Sequence, residues 1–157
     1  MPTGTWLTPE AHEKLFAELA ELQGEGRRLL EERIAEARSH GDIRENADYD
    51  AAKNDQGLME ARIRQLKHVL DTAEVREVEE SADVVIGSVV TVTDADGDEI
   101  EYLVATPENR VPGLVLASPF GPLGSALLGS KVGDEVEYQA PAGSFTVAVK
   151  AIRAYRP

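Results

Sequence analysis

Residues 46–73, NADYDAAKNDQGLMEARIRQLKHVLDTA, decide the fold. Within them Tyr49, Ala52, Gln56, Met59, Ile63, Leu66, Leu70 and Ala73 follow one another at steps of 3, 4, 3, 4, 3, 4 and 3. Such steps keep one narrow stripe on one side of an α-helix, the spacing of a coiled-coil seam. The spacing predicts a helix from about Asn46 to about Val75. So narrow a stripe needs a partner, and one lies upstream. Thr8 suits a helix N-cap, Pro9 the first helical position, and Glu10 the positive helix end. Leu15, Leu19 and Leu22 start an apolar stripe that Leu29 or Leu30, Ile34 and Ala37 continue. Gly24 and Gly26 interrupt it, each at a cost of about 1 kcal/mol against alanine, and predict a local bend or loosening. The break at His40-Gly41 leaves only a short turn between the two stretches, so an antiparallel hairpin with arms of about 40–48 Å follows. Two helices build no thick core. The expectation is a thin projecting rod with its free end at Gly41; the alternative is a helix pair folded back on a globular body.

Near residue 80 the chain changes character. Residues 1–80 hold 11 Lys+Arg and 19 Asp+Glu, whereas 81–157 hold 5 and 10, with Val, Thr, Gly and Pro spread throughout. Val89–Thr93 and Glu99–Leu103 flank Asp94-Ala95-Asp96-Gly97-Asp98, a hairpin turn. Leu114–Ala117 reads as a strand and Ser125–Leu128 as a small helical turn. Glu135–Tyr138 and Phe145–Val149 make a second hairpin across Pro141–Ser144. The class is α+β: a helical hairpin domain over 1–78, a linker over 79–83 and a compact strand-rich domain over 84–157.

Composition excludes several functions. Of 157 residues, 16 are Lys+Arg and 29 Asp+Glu, a formal net charge of -13, which disfavours unaided binding to nucleic-acid phosphates. The chain has no cysteine, so disulfides, thiolate metal sites and cysteine nucleophiles are out. No run reaches 18 apolar residues and Met1–Pro9 lacks a basic leader, so neither membrane spanning nor classical secretion is expected. The Asp94–Asp98 turn is no EF-hand: its glycine falls at position four and position twelve is Ala105. His12, His40 and His68 form no metal spacing, and His40 alone lies where it can shape the hairpin turn. Gly121-Pro122-Leu123-Gly124 lacks the lysine of a phosphate loop and reads as a turn.

The hairpin turn carries the chemistry. Residues 38–50, RSHGDIRENADYD, crowd acids at the apex. Asp42 and Glu45 are three apart and share a face if the segment makes one helical turn. Two such carboxylates are a partial site for a hard divalent cation such as Mg²⁺, whose remaining ligands must come from water or another macromolecule. The plainer alternative is that Asp42, Glu45 or Asp48 caps the second helix.

The segment 40–53, HGDIRENADYDAAK, resembles the tip signature of bacterial Gre transcript-cleavage factors, nearest the GreA type. The similarity continues at Gln56-Gly57 and Glu60–Ile63, and returns at Pro122–Gly129 and Val132–Val136. This resemblance implies an FKBP-like second domain that docks on RNA polymerase, while the coiled coil enters the secondary channel. It places the two tip acids on Asp42 and Glu45, where they help hold a polymerase-bound Mg²⁺ and orient a water that hydrolyses backtracked nascent RNA. It gives Arg38 and Lys53 contact with the RNA 3′ end or the channel wall, and Ser118, Pro119, Pro122, Leu123 and Gly124 a docking role. Gly121 stands where the family pattern has serine. Arg27, Arg28 and Arg33 either extend a basic flank or form a solvated face with Glu31, Glu32 and Glu36. The expected factor is cytoplasmic, monomeric and away from membranes, binds no stable cofactor of its own and has no independent catalysis. Two other readings remain: a channel regulator that inhibits without efficient cleavage, and a coiled-coil chaperone or adaptor.

Overall fold

The computed structural model describes residues 5–42 and 46–157. The chain forms two compact units: His12–Ala73, and the N-terminal residues up to Ala11 together with Glu74–Pro157. Among the described residues no helix is long and apolar enough to cross a membrane.

The first unit is the expected antiparallel helical hairpin. Helix α1 (Pro9–Glu21) starts on Thr8, whose Oγ1 accepts a hydrogen bond from the Ala11 N–H at 3.0 Å. One π-helical turn, Leu22–Gly26, joins it to α2 (Arg27–Arg38), and α3 (Ala47–Thr72) returns. Arg27 meets Glu60 at 2.9 Å and Arg33 meets Asp55 at 3.0 Å, so one number falls as the other rises. Along the α3 seam Ala52, Ile63 and Leu66 are buried, and Tyr49, Gln56, Met59, Leu70 and Ala73 half-buried. Arg62 forks onto Glu18 at 2.8 and 2.9 Å, and this hydrogen bonding holds the Glu18 carboxyl below its ordinary pKa against the smaller effect of desolvation. Ion pairs this exposed add little stability; the seam carries the hairpin.

The π turn resolves the choice left open at Leu29 or Leu30. Heptads carried on from Leu15 and Leu22 would put residue 29 on the seam. Instead Leu30 is 8% exposed and Leu29 47%. A π turn takes up one residue more than an α turn, so it absorbs the surplus and the stripe resumes one position later. The loosening expected at Gly24 and Gly26 therefore has a definite form. A Cβ on Gly26 would lie 3.2 Å from Met59 Sδ, so the bare backbone lets α3 come close here.

Helix α3 stops at Thr72, short of the expected Val75, because Glu74 and Val75 leave it to form β2 (Glu74–Val75). That strand pairs in parallel with β1 (Trp6–Leu7), Trp6 opposite Glu74 and Leu7 opposite Val75. The N-terminal segment thus belongs with the strand-rich unit. Asn109, 1% exposed, accepts from the Thr8 N–H at 3.0 Å and donates to the Trp6 carbonyl at 2.9 Å. Nor do residues 79–83 hang free: Val78 is buried, the Glu80 carboxylate accepts from the Ala154 N–H, and Asp83 pairs with Lys131 at 2.8 Å. This grouping differs from a cut at residue 78 because the apolar Trp6 and Val78 need the sheet to cover them.

The sheet runs in the order β5-β4-β3-β7-β6, with β3 (Ser88–Thr93), β4 (Glu99–Val104), β5 (Val115–Ala117), β6 (Glu135–Ala140) and β7 (Gly143–Ala154). Only β4 and β5 pair in parallel; β3–β4 and β6–β7 are the two expected hairpins. In β3 the strand period of two sends Val90 and Val92 to one face and Val89 to the other. The first face packs with Val104, Val136, Val147, Val149 and Leu127 of α4 (Pro122–Leu127). The second packs with Trp6, Val78, Leu103, Ala105 and Ala154. The unit is α+β, with a short helix on one face and the N-terminal segment on the other.

The seam shift has a direct consequence. Leu30→Ala should destabilise the hairpin by about 2–3 kcal/mol, and Leu29→Ala by less than about 0.5 kcal/mol. Thermal unfolding followed by helical circular dichroism ranks the two; equal losses would contradict the one-residue shift.

Candidate functional site

The turn between α2 and α3 is fastened at both ends. The α2 carbonyls that lack a partner at a helix C-terminus receive local donors: Ser39 N–H bonds Glu36 O at 3.0 Å and His40 N–H bonds Ala37 O at 3.2 Å. Gly41 then bends the chain with φ +112°, in the region glycine tolerates best. At the far side Asn46 has extended backbone, and its Oδ1 accepts from the Tyr49 N–H at 3.1 Å. The cap of α3 is therefore Asn46, rather than Asp42 or Asp48. Asn46 Nδ2 also donates to the Ala37 carbonyl across the turn. The Arg38 guanidinium sits over the Tyr49 ring, 5.6 Å from its centroid, a second tie between the helices.

Asp42 lies exposed in this turn, beyond the end of α2. Its expected companion Glu45 lies outside the described residues. Asp48 and Asp50 occupy the first turn of α3, where the helix end favours negative charge. His40 lines a shallow cleft with Arg33, Glu36 and Asp48. Among the described residues no three His, Asp or Glu side chains gather as a metal site. Lys53 bonds Gln56 Oε1 at 2.8 Å on the exposed face of α3. Arg27, Arg28 and Arg33 are each paired with carboxylates, Glu60, Glu25 with Glu32, and Asp55, so they form a neutralised face rather than a basic flank.

Comparison with known proteins covers both units. The family pattern "Transcription elongation factor, N-terminal" matches residues 5–75, and "Transcription elongation factor, GreA/GreB, C-term" matches residues 79–154. The chain belongs to the GreA/GreB family. Transcription elongation factor GreA of Streptomyces coelicolor is 44% identical over 142 residues, 88% of this chain and 86% of its own length. GreA of Saccharopolyspora erythraea is 46% identical over 153 residues, covering 96% and 93%. GreA of Thermotoga petrophila is 40% identical over 148 residues, covering 93% and 95%.

In this GreA/GreB chain the segment after β5 is a loop built on α4. The five residues grouped there by sequence do not share one surface. Pro119 and Gly124 are buried, Ser118 and Leu123 half-buried, and Pro122 exposed. Leu123 packs on the sheet core. Ser118 O accepts from the Gly121 N–H at 3.0 Å, and Ser125 Oγ donates to Gly121 O at 2.7 Å, which folds the loop back on the helix. Phe120, at 88% exposure, is held out at its crest. Sequence reading passed over Phe120; the signal was a large aromatic inside a Ser-Pro-Phe-Gly-Pro turn, where no strand or helix period turns it inward.

Gly124 is fixed by space. A Cβ there would fall 1.9 Å from the Ser118 carbonyl oxygen, a backbone atom that cannot swing aside. Gly124→Ala should cost about 3 kcal/mol or more by displacing this loop, whereas Phe120→Ser should leave stability within about 0.5 kcal/mol. Thermal unfolding of the two variants checks the contrast.

Proposed function

We propose that this transcription elongation factor acts on bacterial RNA polymerase, bringing the turn between α2 and α3 through the secondary channel to the active centre. There it stimulates hydrolytic cleavage of backtracked RNA. The observation that carries the reading is the membership of both units in the GreA/GreB family together with Asp42 exposed beyond the end of α2. Asn46 supplies the cap of α3.

In this reading Asp42 and Glu45 hold their carboxylates toward the scissile phosphate. One helps fix a divalent ion of the polymerase, and the other orients a water by accepting its hydrogen bond. The ion, when bound, supplies Lewis-acid activation of phosphate and water. The water oxygen bonds to phosphorus, the bond to the 3′ oxygen breaks, and that oxygen takes a proton. A 3′ hydroxyl remains on the retained RNA and a 5′ phosphate on the released piece. Elongation resumes from the new end. Most of the reaction centre belongs to the polymerase, so the chain alone turns over nothing.

Arg38 and Lys53 supply cationic contacts near the displaced RNA. Stacking on Tyr49 occupies the guanidinium face of Arg38 and leaves its N–H edge for phosphate. The strand-rich unit docks through Pro122 and Phe120, with Ser118, Pro119, Leu123 and Gly124 shaping the loop beneath them. One copy of the chain serves one polymerase.

Asp42→Asn and Glu45→Gln should each lower stimulated cleavage by about 100-fold or more, the scale seen when one charge-stabilising group is removed from a reaction centre. Polymerase binding should stay within about two-fold, since the docking loop is untouched. The RNA products of a defined backtracked elongation complex give the answer. Full cleavage by the double variant would overturn the mechanism. Binding with slowed transcription and no cleavage by the unaltered chain would establish a channel inhibitor instead.

A further inference from the structure

The turn that carries Asp42 is closed by one side chain. Asn46 spends both halves of its carboxamide on backbone: Oδ1 takes the Tyr49 N–H of the first turn of α3, and Nδ2 gives a hydrogen bond to the Ala37 carbonyl in the last turn of α2. Ala37 is 3% exposed, packed in the helix seam, so the anchor point is itself immobile. Residues 38–42 follow directly on this anchor point. An acceptor and a donor are both needed, on one carbon and two bonds beyond Cβ. Asp offers acceptors only, Ser and Thr a single short hydroxyl, and Gln sets the amide one methylene too far. A bare N-cap asks for much less, since Ser, Thr and Asp serve that purpose as well.

We propose that Asn46 is a positioning residue for cleavage: its amide clamps the two helix ends together and so fixes where Asp42 stands. The inference rests on the functional reading above and adds to it a residue that touches neither RNA nor ion. Its physical basis is that misplacement on the order of 1 Å can cost about 100-fold in rate. Without the Ala37 bond the α3 cap survives, but the amide tie between the two helix ends is lost. Asp42 then samples a wider volume and meets the divalent ion less often.

Asn46→Ser separates clamp from cap. Its hydroxyl can accept from the Tyr49 N–H, but it cannot reach Ala37 as well, and it adds no charge. Asn46→Ala removes both bonds. Full-length variants are compared with Asp42→Asn on the same backtracked complex, reading polymerase affinity, helical content, cleavage rate and its Mg²⁺ dependence. For Asn46→Ser the expected result is unchanged helicity and affinity, cleavage slowed about ten-fold or more, and half-saturation shifted to higher Mg²⁺ with partial recovery of rate there. A weakened fold alone would not move the Mg²⁺ dependence. Wild-type rate and Mg²⁺ response in Asn46→Ser, with Asp42→Asn inactive, would overturn the clamp and leave the functional reading standing. Active Asp42→Asn would overturn both.

Discussion

The two arms of the helical hairpin are held along one line of side chains. In this chain that line is the seam of α3 against α1 and α2, and everything at the turn depends on its register. The stripe on α3 keeps its 3,4 spacing from Tyr49 to Ala73 with each position at least half-buried. The stripe on the opposite arm carries one residue too many between Leu22 and Leu30. A single π turn absorbs it, so that Leu30, Ile34 and Ala37 reach the seam. Were the surplus left in place, the next stretch would be turned about 100° around its axis, the angle per residue of an α-helix, and Ala37 would no longer face its partner.

A seam in register puts the last carbonyls of α2 beside the first N–H groups of α3. Helix ends carry unpaired backbone groups of opposite kind, and a single amide joins one of each. This ties the two helix ends together through an uncharged side chain. The tight turn at Gly41 and the Arg38–Tyr49 stack work in the same direction. The strand-rich unit solves a different problem. Its sheet has two apolar faces, and one six-residue helix covers only the first. Trp6 and Val78 cover the second, and Asn109 fastens the segment that brings Trp6 there.

Periodic features were legible in the sequence: the seam, the Thr8 cap and both β-hairpins follow from local spacing and turn chemistry, whereas the short helix, read over Ser125–Leu128 with Gly121–Gly124 as a turn, begins at Pro122 and takes in half of that turn. What was not legible depends on contacts between distant residues. The choice between Leu29 and Leu30 needs the π turn, which no periodicity distinguishes from a kink. The end of α3 at Thr72 is set by Trp6 and Leu7, almost seventy residues away. The close approach of Gly124 to Ser118 splits a segment that looks uniform by sequence. At the tip, Asn46 was readable as a capping residue by type, but the crowd of acids around it drew attention first. Its bond to Ala37 exists only because the hairpin brings the two helix ends together.

The central claim is that the turn around Asp42 comes to the metal centre of RNA polymerase. Placing Fe²⁺ in that centre and generating hydroxyl radicals there, with the unaltered chain bound to a backtracked complex, tests it most directly. Such radicals cut only backbone close to their source. The account predicts scission of the chain concentrated within residues 38–46 and sparing the strand-rich unit. Intact backbone over that stretch, in chain shown to be bound, would contradict it.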